Sequence, residues 1–101
     1  MNGKEAKSLP DRKFFFKLLN TTVKNKKNID KKIEEALKKK DFSKMETIIQ
    51  VILELGVCEI IYFKDLSHKI SIAEYNKVSS SFLNKNEVSL INGILDEVAN
   101  N

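Results

Sequence analysis

Residues 90–99 read LINGILDEVA, and the reading of that stretch decides the fold. Asn92-Gly93 is a strong turn signal, because both residue types tolerate positive φ, and taken alone it predicts a hairpin. The apolar side chains around it, Val88, Ile91, Ile94, Leu95 and Val98, fall three and four apart, which is the spacing of one helical face. The two signals oppose each other, so the rest of the chain has to arbitrate.

Composition favours helices. A chain of 101 residues, 42% hydrophobic and 32% charged, suits one domain with a modest core. Three Gly and one Pro are too few turn-formers for a sandwich or barrel, and the richness in Lys, Leu, Ile and Glu suits an all-α fold. No apolar run approaches the roughly 18 residues of a membrane span, and the N-terminal MNGKEAKS lacks the apolar core of a signal peptide. A cytoplasmic location and no membrane partner are expected. One cysteine, Cys58, and one histidine, His68, supply neither a disulfide nor a metal site at any standard spacing, so no metal or cofactor is expected.

Charge divides the chain. Residues 1–44 carry 14 Lys/Arg against 6 Asp/Glu, whereas residues 45–101 carry 4 against 8. The first half suits a polyanion such as RNA, and equally suits a solvated lysine-rich surface; the second suits a basic protein partner.

Periodicity predicts a polar tail over 1–10 and a single helical domain over 11–101, a compact bundle of about five helices. Asp11 is a candidate cap for a first helix over roughly 12–25, with Phe14, Phe15, Leu18, Leu19 and Val23 in its apolar stripe. The spacer KNKKN follows, and Asn28 opens a short helix with Ile29, Ile33, Ala36 and Leu37 inward and lysines at its C-terminal end, where the dipole favours cations. Ser43-Lys-Met-Glu46 is a capping-box pattern before a long central helix from Met45 to Phe63. Glu59 points into the apolar face of that helix and needs donors from the 65–74 connector, either backbone N–H groups or a basic side chain. A second capping-box pattern, Ser71-Ile-Ala-Glu74, opens a helix with Ile72, Tyr75, Val78 and Phe82 inward and Ser79-Ser80-Ser81 mostly outward. Asn84 or Asn86 caps the last helix.

The stretch from Val51 to Ala99 resembles the C-terminal part of NusB-type transcription antitermination factors. Leu55-Gly56-Val57 and Glu59 stand as in the family's ILRLGVYELLY-like central helix, and Asp65 and Lys69 as in its D-hydrophobic-P-x-K-V connector. Ile72 and Glu74 match its I-N-E-A opening, and Phe82 and Asn92-Gly93-Ile94-Leu95-Asp96 its terminal F-V-N-G-V-L-D helix. Residues 11–50 agree in helical pattern and length only. The resemblance implies that LINGILDEVA is a helix, with Gly93 letting a neighbouring helix approach and Asn92 bonding to nearby backbone.

For function the resemblance implies RNA binding without catalysis: a bacterial factor that pairs with the small-subunit ribosomal protein NusE and binds boxA-like RNA. Fuller members begin with one or two further helices bearing an arginine cluster. This chain has one arginine, Arg12, and carries Glu54, Ser67, Ala73 and Ile49-Gln50 where the family has other residues, so it reads as an N-terminally shortened or diverged form. Lys69, Lys85, Asn86 and Ser89 are the candidate phosphate contacts, placed around the last helix's N-terminus with its free N–H groups and positive dipole. Tyr62 and Tyr75 are candidates for base stacking or for core. His68 reads as an exposed loop residue. Two other readings stay open: a protein-interaction module that has lost RNA binding, and an accessory domain of a ribosomal RNA methyltransferase. Apolar surface on Phe14–Phe16 and Ile60–Phe63 predicts a homo-oligomer.

Overall fold

A computed structural model describes residues 12–38 and 40–100, so the polar tail and the Asp11 cap lie outside the described residues. Helix α1 spans Arg12–Lys24 and α2 spans Lys26–Leu37. A 3-10 turn at Phe42–Lys44 leads into the central α3, Thr47–Tyr62, followed by α4, His68–Ser80, and α5, Lys85–Asn100. The fold is all-α. Among the described residues none of the helices is long and apolar enough to cross a membrane, and no cluster of His, Cys, Asp or Glu is arranged to hold a metal ion.

LINGILDEVA lies inside α5, so the helical period overrides the Asn-Gly turn signal. Its apolar residues explain why. Ile91 and Leu95 are fully buried and Ile94 nearly so, and each such side chain contributes roughly 1.5–3 kcal/mol that a hairpin at Asn92 would forfeit. They pack on α3, which touches all four other helices and runs through the middle of the bundle. Ile29 and Ile33 of α2 and Leu53 and Val57 of α3 complete a core without solvent contact.

The close helix crossing is made at Gly56, not at Gly93. A Cβ on Gly56 would stand 2.8 Å from Leu95 Cδ2 and 3.2 Å from its Cδ1, whereas one on Gly93 would meet nothing within 4 Å. Gly93 is exposed on the outer face of α5, and neighbouring Asn92 accepts from the side chain of Asn76 at 2.6 Å instead of bonding to backbone. Gly93→Ala is therefore expected to stabilise the chain by about 0.5–1 kcal/mol through helix propensity, read as a higher melting temperature.

Caps follow the tertiary turns more than the sequence boxes. Ser43 sits within the 3-10 turn, where Asp41 accepts its N–H at 3.0 Å and its hydroxyl at 2.7 Å, while Glu46 caps α3 without a side-chain bond. Gln50 instead fastens the junction by donating to the carbonyls of Phe42 and Met45. α4 opens earlier than expected: Ser67 is its cap, accepting from the Ile70 N–H, and Ser71 lies inside the helix. At α5, Asn84 and Glu87 form a reciprocal box, each side chain accepting the other's N–H at 2.9 and 3.0 Å.

The spacer after α1 shrinks to Asn25 alone, and Asn28 lies within α2. α2 ends at Leu37, with Lys38 beyond it at φ 62°, so Lys38 and Lys40, expected in its last turn, stand past the helix. The inward face of α4 is also rotated from the expected one. Ser79 is fully buried and donates to the Tyr75 carbonyl, while Val78 and Phe82 are exposed. α1 likewise leaves Phe15, Phe16 and Val23 exposed around buried Leu18, but Ile60 of α3 is buried where surface was expected.

Candidate functional site

Lys85, Asn86 and Ser89 all lie exposed in the first turns of α5. Lys69 is exposed too, but it stands elsewhere. α4 and α5 form an antiparallel hairpin, pinned midway by the Asn76–Asn92 bond, and His68 shares a cleft with Glu97, Val98 and Ala99 at the far end of α5. At 1.5 Å per residue, Lys69 and Lys85 are separated by roughly 20 Å, so the expected four-residue cluster is a three-residue one. His68 is half-buried at the start of α4 rather than exposed in a loop. Antiparallel packing follows from the four-residue connection between the two helices, and that signal was present in the sequence.

Glu59 is 6% exposed, and its donors are hydroxyls rather than backbone or a base: Ser71 Oγ bonds to Oε2, and Tyr75 OH donates to Oε1 at 3.0 Å. Burial, and then the Glu59 carboxylate, push the Tyr75 phenol far above its ordinary range. This arrangement ties α4 to α3, and both tyrosines are spoken for: Tyr62 OH accepts from Asn28 Nδ2 at 2.7 Å. Cys58, next to Glu59, is fully buried with its Sγ 3.9 Å from the Leu18 carbonyl, and burial raises its thiol pKa.

A charged cluster joins α2 to α3. Lys26 Nζ lies 2.7 Å from Asp30 Oδ2 and 2.8 Å from Glu54 Oε2, and these two bonds, Asp30's the stronger, raise its pKa. Glu54 also shifts upward, which a lysine alone would oppose. Burial outweighs Lys26 there, and the Asp30 carboxyl adds to it. Asp30 Oδ1 is buried without a partner, and a protonated Glu54 is the donor that would satisfy it. A raised folded-state pKa stabilises below the unfolded value, ordinarily 4.5, and that stabilisation is lost as pH rises through the folded value. Glu54→Gln supplies a permanent N–H, so its melting temperature is expected to fall less than that of the parent as pH rises above about 4.5.

A third region is the C-terminal end of α3. Phe14 of α1 meets Phe63 edge-on, ring centroids 5.2 Å apart, and Lys17 Nζ lies 5.7 Å from the Phe63 centroid. Lys64 borders the same cleft, an arrangement that depends on α1 running antiparallel to α3 and so is invisible to local periodicity.

The fold agrees with comparison to known proteins. The NusB family model matches residues 2–100. The transcription antitermination protein NusB of Geotalea uraniireducens is 37% identical over 86 residues, covering 85% of this chain and 59% of that protein. The NusB of Bradyrhizobium diazoefficiens is 29% identical over 86 residues, covering 84% and 52%. The solved T. maritima NusB superposes with a TM-score of 0.78 at 24% identity, covering 83% of this chain and 59% of that one, which shows a shared fold. The chain spans about half the length of the first curated relatives it matches. Matched from its second residue to its hundredth, this chain belongs to the NusB family.

Proposed function

We propose that the chain acts in transcription antitermination as a non-catalytic RNA-binding factor, recognising boxA-like RNA together with the ribosomal protein NusE. The observation that carries the reading is the family match over residues 2–100. Lys85, Asn86 and Ser89 support it chemically, because they surround a helix N-terminus whose dipole favours phosphate. Lys69 is then a separate, peripheral contact.

Fluorescence titration of boxA-like RNA against a scrambled strand, with and without NusE, tests the reading. Lysine makes point-charge contacts rather than the bidentate ones of arginine, so the isolated chain is expected to bind weakly and with strong salt dependence. Three or four lysine contacts predict a log–log salt slope of about −2 to −3. Lys85→Glu is expected to weaken binding more than Lys4→Glu. Equal binding of both strands in the presence of NusE would remove the antitermination reading.

One observation favours a second reading, a protein-interaction module. Phe14, Phe15, Leu55 and Val78 line an apolar groove of about 320 Å³ between α1, α3 and α4, with Phe16 60% exposed close by in sequence. Absence of RNA binding combined with self-association in sedimentation would favour that reading.

A further inference from the structure

From the cleft at the C-terminal end of α3 we infer a second RNA subsite, in which one base of a single-stranded RNA stacks against Phe63 and Tyr62 while flanking phosphates meet Lys17 and Lys64. The inference rests on the reading of the chain as an RNA binder, but requires neither boxA nor NusE. The cleft has a volume of about 680 Å³, within the range of sites that take small organic groups. Its rings are held in place before any ligand arrives. Phe14 braces Phe63 edge-on at an interplanar angle of 67°, and Asn28 holds the Tyr62 hydroxyl. Both aromatic residues remain partly accessible, and Lys17 and Lys64 are exposed along the cleft; Lys17 lies over the Phe63 ring, so a stacking base takes the ring face that this side chain vacates as it turns to phosphate.

The chemistry selects a nucleotide over a bare anion. Asp65 lines the same cleft and α3 ends there with its partial negative charge, so free phosphate gains little. A base adds what phosphate lacks, a π-face for the rings, and leaves its phosphates to the lysines at the rim. Lys24 lies seven residues after Lys17, on the same stripe of α1 and roughly 10 Å along it, which extends the cationic track for a strand leaving the cleft. An acidic peptide would use the lysines and leave the rings idle.

Anisotropy titration of labelled uridine and adenosine octamers into the full chain at about 50 mM salt tests this. Phe63→Leu keeps the apolar volume and removes the π-face, and is expected to weaken binding by about 5- to 100-fold. The double substitution Lys17→Gln, Lys64→Gln is expected to flatten the log–log salt slope by about 1.4. Should Phe63→Leu unfold, amide shifts of the parent chain decide: RNA-induced shifts at residues 14–18 and 61–66 support the subsite, and shifts elsewhere alone overturn it. Boxa-selective binding that is indifferent to these variants removes the subsite and leaves the antitermination reading. Variant-sensitive octamer binding without boxA preference does the reverse. Absence of all RNA binding, or tighter binding of an acidic peptide to the same residues, overturns the subsite.

Discussion

Glu59→Ala is expected to destabilise the chain by about 2–4 kcal/mol, lowering the melting temperature by roughly 10–25 °C. The substitution removes the acceptor for two hydroxyls at once. Ser71 is 3% exposed and can turn its hydroxyl back to the Ser67 carbonyl one helical turn earlier, so its share of the loss is the smaller one. The Tyr75 phenol, at the end of a rigid ring, has Glu59 as its acceptor, so the substitution strips a half-buried donor of its partner. Tyr75→Phe in the Glu59→Ala background should then recover part of the loss, because removing both partners is milder than orphaning one. A thermal melt unchanged in Glu59→Ala would refute this account of how α4 is held to α3.

Gly56→Val is expected to destabilise by about 3 kcal/mol. Leu95, which a Cβ at this position meets at 2.8 Å, is fully enclosed, so its side chain cannot swing away without displacing other core atoms. Valine adds two further carbons and forces α3 and α5 apart. Alanine is milder, because a helix-propensity gain of about 1 kcal/mol offsets part of the displacement of Leu95. Equilibrium denaturation of Gly56→Val and Gly93→Ala should give opposite signs, and the same sign for both would show that the crossing lies elsewhere.

The two glycines show where reading the sequence reaches its limit. Apolar spacing is a local property, and it correctly locates α3 and α5 and makes LINGILDEVA compatible with a helix. Which glycine faces a neighbour depends on the rotational phase at which two helices cross, and no window of one helix contains that. Caps behave similarly. Ser71-Ile-Ala-Glu74 has the composition of a capping box, yet the chain begins to coil at His68, and the Ser71 hydroxyl is taken by Glu59. Val78 and Phe82 remain exposed because α4 turns Ser71 and Ser79 inward, while Ser80 and Ser81 face outward as expected. Of the candidate site, the exposed group Lys85, Asn86 and Ser89 was legible, whereas the placement of Lys69 needed hairpin geometry. The ring-lined cleft needed the docking of α1 on α3, which brings together residues almost fifty positions apart.

The enclosed thiol of Cys58 gives the molecule an intrinsic reporter of its own openings. Thiol reagents attack the thiolate, and here the thiolate is disfavoured by burial while the sulfur has no solvent contact. Modification in the native state has to wait until the core around α1 and α3 comes apart, so the labelling rate divided by that of an unfolded control measures the free energy of that opening. With one cysteine in the chain, every modified molecule reports the same event, and any RNA or protein that binds the folded form alone should slow the modification in proportion to its occupancy.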